Sequence, residues 1–144
     1  MQVSVLLQGK GAEVVTVEPT ATTAAVVAEL ARHRIGAVVV SGDGVRIDGV
    51  LSERDVVRAL AADGPAALDR PVETWMTRDV VTCGMDTTVE ELMSMMTERR
   101  IRHVPVTVDG NLSGVISIGD VVKDRIAVLE HEAQAMHDYI ANPY

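Results

Sequence analysis

Gly49-Val50-Leu51-Ser52-Glu53-Arg54-Asp55 returns 65 residues later as Gly114-Val115-Ile116-Ser117-Ile118-Gly119-Asp120. Upstream of each copy the correspondence continues at an offset of 66: Val14-Val15-Thr16 with Val80-Val81-Thr82, Arg34-Ile35 with Arg100-Ile101, Val38-Val39-Val40 with Val104-Pro105-Val106. A single-residue gap in a turn separates the two offsets. A long internal repeat decides the architecture before local propensity does. The chain reads as two similar halves, 1–64 with an N-terminal segment and 72–144, joined by a turn-rich linker at 65–71.

Each half predicts strand, helix, strand, strand, helix. In the second, Val80–Cys83 is a β-branched strand. Thr87 is the expected N-cap of a helix, with Glu90 completing a capping box, and Val89, Leu92, Met93 and Met96 make one apolar stripe. His103–Val106 is the next strand, Asp109-Gly110 a hairpin turn, Leu112–Ile116 a strand, and Ser117 the N-cap of the last helix. The first half repeats this with strands near 13–17, 37–41 and 45–51 and helices near 22–33 and from Ser52. Gly9-Lys10-Gly11 reads as a turn, without the spacing of a phosphate-binding loop.

Composition narrows the function. The 144 residues carry 13 Lys and Arg against 21 Asp and Glu, a formal charge of −8, and only 2% aromatics with no Phe. Such a chain lacks both the cations and the stacking rings of a nucleic-acid binder. Met93, Met95 and Met96 are expected to fill core space in place of Phe. Cys83 is the one cysteine, so no internal disulfide forms. It reads as a packing residue. No run approaches a membrane span, and the first residues lack a signal peptide's basic start. The expectation is a cytoplasmic chain.

The repeated Gly-φ-φ-Ser-x-x-Asp, with φ apolar, sits where a strand enters a helix. Ser and Asp share one side of the first turn. A helix N-terminus attracts anions, a Ser hydroxyl can bond phosphate, and an Asp carboxylate can accept from both hydroxyls of a ribose. With an apolar slot from Val50-Leu51 or Val115-Ile116, the arrangement suits a nucleoside phosphate. The same spacing is also an ordinary capping pattern, and duplication copies caps as faithfully as sites. Both readings stand on the sequence.

GVLSERD at 49–55, GVISIGD at 114–120 and RIRHVPV at 100–106 resemble a tandem pair of CBS (cystathionine-β-synthase-type) domains, a Bateman module, over nearly the whole chain. The resemblance implies an α/β fold of two β-α-β-β-α units and a long C-terminal helix. It implies a non-enzymatic sensor that binds AMP, ADP or ATP, or else NAD or S-adenosylmethionine, between the repeats and modulates a partner protein. No cofactor is required. Carried over by position, one cleft would use Asp120 for ribose, Ser117 for phosphate or ribose and Ile116 for the adenine slot. Arg102 and His103 would face phosphate, with Thr16, Val17 and Ala37 approaching from the first repeat. The second cleft would use Asp55, Ser52 and Leu51, with Thr82 and Pro105. Gly36-Ala37 stand there in place of Arg102-His103, with Arg34 or Arg54 as substitutes, so the Asp120 cleft is expected to bind more tightly. His103 alternatively reads as a neutral core histidine, and Lys123 as a solvated lysine or a phosphate partner.

Two other classes of function compete with this one. A nucleotide-processing enzyme needs a nucleophile–base pair or a metal cluster. His131-Glu132 begins a zinc motif that Ala135 interrupts. A structural interaction module would use the Ser and Asp residues only as caps. The last helix carries Val122, Ile126, Leu129, Ala133, Met136 and Ile140 at alternating spacings of 4 and 3, a heptad stripe. With no matching segment in the first half, that stripe predicts a homodimer, and the resemblance implies the same.

Overall fold

The computed structural model describes every residue except Ala12 and Pro143. In the first half, β1 (Thr16–Val17) pairs parallel with β2 (Ala37–Val40), which pairs antiparallel with β3 (Gly49–Ser52). Helix α2 (Thr23–His33) connects β1 to β2, and α3 (Glu53–Asp63) follows β3. In the second half, α4 (Val89–Arg99) precedes the antiparallel pair β4 (His103–Val108) and β5 (Asn111–Ser117), and α5 (Ile118–Ala141) follows. The expected strand at 80–83 contracts to one parallel bridge, Cys83 to Val106, at the place equivalent to Val17 against Val40. Residues 45–48 do not join β3.

The caps are largely where the sequence puts them. Ser52 and Ser117 each accept from the backbone N–H three residues on, and Asp55 and Asp120 return the bond as full capping boxes. The third box is shifted by one residue: Thr88 and Glu91, not Thr87 and Glu90, close the start of α4. Thr87 instead accepts from the Gly84 amide. Arg34 and Arg100, at equivalent positions, end α2 and α4 in the left-handed region at φ 54° and 53°.

Residues 3–10, with no strong helical pattern, form helix α1 (Val3–Lys10). Its seat lies in the other half. Val3 and Ser4 donate to the carbonyls of Thr87 and Met85, and Val3, Leu6 and Leu7 join the second half's core with Leu92, Met96 and Ile116. The linker mirrors it. Val72 donates to Ala21, Gln2 bridges Thr88 as Pro71 bridges Thr22, and Val72 and Met76 join Val26, Leu30 and Leu51 in the first half's core. Two short 3₁₀ turns, Gly64–Asp69 and Val72–Thr74, carry the chain between the halves. Each half is thus completed by the lead-in that precedes the other. The exchange suits units of this size, which bury too little surface alone.

The lead-ins also explain the glycine that opens each repeat. A Cβ on Gly49 would lie 2.7 Å from Met76 Sδ and 2.8 Å from the Thr77 carbonyl oxygen, and one on Gly114 would lie 2.8 Å from Leu7 Cδ2. Overpacking of this kind costs about 1–3 kcal/mol. Gly49→Ala, which meets backbone, is expected at the upper end of that range, and Gly114→Ala, which meets a movable leucine, at the lower end. Thermal melts of the two variants check the order. Among the described residues no helix is long and apolar enough to cross a membrane.

Candidate functional site

Two clefts open between the halves, each beside one Ser-Asp helix start. Ser52 and Asp55 line a cleft of about 250 Å³, and Ser117 and Asp120 line one of about 340 Å³. They share Gly36, Ala37, Val50 and His103 as a common wall. Equivalent backbone bonds build both: Glu53 N–H donates to Gly36 and Ile118 N–H to Arg102, tying each helix start to the strand beside it.

The structure brings some of the expected residues together and separates others. Asp120, Ser117, His103 and Ala37 lie around one cleft, and Asp55 and Ser52 around the other. Ile116 and Leu51 line neither, because both are fully buried in the cores. The strand alternation gives the cleft faces to Val115 and Val50 instead. Thr16 and Val17 are replaced by Val14 and Val15, and Thr82 by Val80 and Val81. Pro105 lines the Asp120 cleft, not the Asp55 cleft. Arg102 lines the Asp55 cleft, not the Asp120 cleft. Of the two substitutes for a basic partner, Arg54 lines the Asp55 cleft and Arg34 the Asp120 cleft.

The cations are therefore distributed against expectation. Arg54, Arg58, Arg99, Arg100 and Arg102 all line the Asp55 cleft, five of the 13 Lys and Arg of an acidic chain. Arg54 donates to the Arg100 carbonyl at 3.0 Å, spanning the two halves. The Asp120 cleft holds Lys10, Arg34 and His103. Lys10 is the last residue of α1, so Gly9-Lys10-Gly11 is a helix end and not the free-standing turn expected from the sequence. Its Nζ lies 2.6 Å from both Asp120 Oδ2 and the Val115 carbonyl oxygen.

The two carboxylates differ in what they have left to offer. Asp55 accepts from the Ser52 amide and hydroxyl on Oδ2 and from the Thr77 hydroxyl on Oδ1, and its side chain is 8% exposed. Asp120 receives the Ser117 amide, the Ser117 hydroxyl and Lys10 all on Oδ2. Its Oδ1 accepts nothing among the described residues, and its side chain is 23% exposed. Burial alone would push the Asp120 carboxyl up. The bonds from Lys10 and Ser117, with the Lys10 charge, outweigh it and hold the group below the usual carboxylate value.

His103 sits between the clefts. Burial, and then the charges of Arg102 and Lys10, depress its imidazole below the usual histidine value, against the opposing pull of Glu53 and Asp120. It is neutral at pH 7 and keeps one ring N–H to donate. Gly36 makes room for it, since a Cβ there would lie 3.2 Å from its Cε1. Cys83 is buried away from both clefts, and burial pushes its thiol up to about 11.

The CBS domain family model matches residues 11–62 and again 72–126. A CBS-domain containing protein from Agrobacterium tumefaciens is 48% identical, with a TM-score of 0.83 over 87% of this chain and 99% of that one. A CBS domain protein from Pyrobaculum aerophilum, solved as a complex with AMP, is 33% identical, with a TM-score of 0.77 over 90% and 97%. The mitochondrial CBS domain-containing protein CBSX3 of Arabidopsis thaliana is 34% identical over 82% of this chain. The match spans 59% of that protein, less than two thirds of its length. Two successive matches, in the order and at the places of the two repeats, settle the ancestry: the chain belongs to the CBS-domain family, as a tandem pair.

Proposed function

We propose that the chain is a regulatory module, not an enzyme, that binds an adenine nucleotide, AMP or a higher phosphate, between its two repeats and acts as a homodimer on a partner protein. The observation that carries this reading is the Asp120 cleft. Asp120 Oδ1 is open to ribose hydroxyls, Val115, Val38 and Val39 offer an apolar wall to a base, and Lys10, Arg34 and His103 stand by for phosphate. The AMP-bound Pyrobaculum relative supports the ligand class. In the Asp55 cleft the five arginines disfavour the sulfonium cation of S-adenosylmethionine and suit the diphosphate of NAD, whereas the Asp120 cleft, with Glu13 beside Asp120, accepts either. A thiol at about 11 is no nucleophile near neutral pH, which supports a binding role. Regulation requires that ligand favour one arrangement of the halves over another.

Thermal shift with AMP, ADP, ATP, NAD and S-adenosylmethionine tests the ligand. Asp120→Ala separates binding from capping. Loss of the capping box is expected to cost about 1 kcal/mol of basal stability, and loss of the ribose acceptor to abolish the nucleotide shift in this cleft. A lower basal melt with an unchanged nucleotide response would leave Asp120 as a cap alone. Stabilisation by none of the five compounds would sink the proposal.

A further inference from the structure

The two lead-ins differ at one contact beside the clefts. The repeat sets Lys10-Gly11 against Met76-Thr77, and Val115 against Val50. In the first half, Thr77 fastens its lead-in to β3 through the backbone: Val50 N–H donates to the Thr77 carbonyl at 3.0 Å and Thr77 N–H to the Val50 carbonyl at 2.9 Å. The Thr77 hydroxyl adds a bond to Asp55 Oδ1 at 3.2 Å. In the second half, Gly11 stands in place of Thr77 and has no side chain to offer Asp120. It ends α1 at φ 94°, and its N–H returns to the Leu7 carbonyl at 2.7 Å. The Lys10 ammonium meets the Val115 carbonyl and Asp120 Oδ2 instead, at 2.6 Å each. One side chain thus stands where the other half uses two backbone bonds and a hydroxyl.

The Lys10 fastening is the easier of the two to undo. The Lys10 and Asp120 side chains are 33% and 23% exposed, so water and solutes compete for both, and an ion pair in that setting adds little net stability. The lysine stem turns about several single bonds and ends in a point charge that a nearby anion can take. The helix end it holds is weak in itself, because Gly9 and Gly11 flank Lys10 and glycine disfavours helix. The start of α1 is fixed separately, by Val3 and Ser4 on the carbonyls of Thr87 and Met85. Leu7, one turn before Gly11, packs over Gly114, so a change at Lys10 reaches the strand that leads into Ser117. Lys10 also lines the Asp120 cleft, with Arg34 and His103, and stands in the space a nucleotide would enter.

We propose that Lys10 is a ligand-released latch: a nucleotide in the Asp120 cleft takes the Lys10 ammonium onto its phosphate and frees the last turn of α1 from β5. This rests on the nucleotide reading of that cleft and adds what binding does to the chain. A phosphate carries more negative charge than the Asp120 carboxylate, and charge-assisted bonds to it are strong. Ribose hydroxyls at Asp120 supply the carboxylate with new donors, so the departing Lys10 does not strand it. The Val115 carbonyl, on a half-buried residue beside the cleft, is left to water. Only the released Lys10 serves the phosphate, which is the differential contact that a shift between two states requires. The Asp55 cleft has no such device, because Thr77 is held by its backbone. Loosening of α1 therefore reports the Asp120 cleft alone.

Hydrogen exchange of the full chain, read by mass spectrometry, tests this. Adenosine serves as the comparison, with the same base and ribose and no phosphate. AMP is expected to speed exchange of amides 7–11 several-fold while slowing 114–120, and adenosine to leave 7–11 unchanged. Lys10→Met is expected to exchange fast at 7–11 without ligand and to show no further rise with AMP. Lys10→Arg, which keeps the charge and the reach, is expected to restore the slow state. AMP that slows 114–120 but leaves 7–11 unchanged or slower overturns the latch and leaves the nucleotide reading standing. So does adenosine that speeds 7–11 as AMP does, or a Lys10→Met chain that exchanges there like the parent. If neither AMP nor ATP slows 114–120, the Asp120 cleft holds no nucleotide, which removes that reading and the latch with it.

Discussion

Leu51→Ala is expected to lower the stability of the chain by about 2–5 kcal/mol and to leave its nucleotide response in place, while Val50→Ala does the reverse. Leu51 is fully buried in the first half's core, against Val26, Leu30, Val38 and the lead-in residues Val72 and Met76. Truncation there removes the transfer energy of the side chain and leaves a cavity in a small core. Against a total of roughly 5–15 kcal/mol for a domain, that is a large share. Val50, one residue back, is half-buried and lines both clefts. Its two methyls are available to a bound base, and about 0.8 kcal/mol for each buried carbon predicts a loss of affinity of about 10-fold at little cost to folding. Chemical denaturation and calorimetric titration of the two variants check this. A Leu51→Ala variant that folds normally but fails to bind would return Leu51 to the cleft.

The one-residue slip shows where sequence reasoning stops. The repeat, the capping boxes at Ser52 and Ser117 and the long last helix were legible because each rests on residue types at fixed spacing. The face of β3 and β5 that meets the cleft was not. Period-two patterning identifies a buried face only when the other face is polar, and here Val50-Leu51 and Val115-Ile116 are apolar on both sides because the cleft wall is itself apolar. The shift from Thr87 to Thr88 has a similar cause. Thr87-Thr88 and Glu90-Glu91 are doublets, so two registers satisfy the same motif. Lys10 was hidden differently. Val3–Lys10 is a helix because the second half supplies partners for it through the carbonyls of Met85 and Thr87, and no local pattern could announce that. The cation that reaches Asp120 therefore arrives from the other end of the sequence.

Arg102→Ala is expected to weaken binding of ATP by about 10-fold or more, and of AMP less. The arginine cluster of the Asp55 cleft carries this prediction. Asp55 has its Oδ2 committed to Ser52 while its Oδ1 accepts from Thr77, and its side chain is 8% exposed, so a ribose there shares Oδ1 with Thr77 and has less room to reach it than at Asp120. What the cleft offers without rearrangement is positive charge. Arg102 lies on its wall with Arg54, Arg58, Arg99 and Arg100, beside the N-terminus of α3, which itself favours anions. Arg54 and Arg58 from α3 and Arg99, Arg100 and Arg102 from the second half face one cleft, and their mutual repulsion is relieved when an anion binds. A polyphosphate, which meets more of these groups than a monophosphate does, therefore gains more in total. A hydrogen bond to a charged group is worth about 1.5–3 kcal/mol, so loss of one guanidinium corresponds to about 10-fold or more for a polyphosphate that uses it. The neutral His103 supplies a donor to either cleft and no charge to tip the balance. Arg54→Ala serves as the comparison, because its guanidinium is tied to the Arg100 carbonyl. Its loss is expected to loosen the contact between the halves and weaken AMP and ATP by similar factors. Titration calorimetry of both variants with both nucleotides, at two salt concentrations, reads the difference. If Arg102→Ala lowers AMP and ATP affinity equally, the cleft does not discriminate by phosphate number. If it lowers neither, the polyphosphate does not lie along this wall, and the Asp120 cleft, with Lys10 and Arg34, must hold it instead.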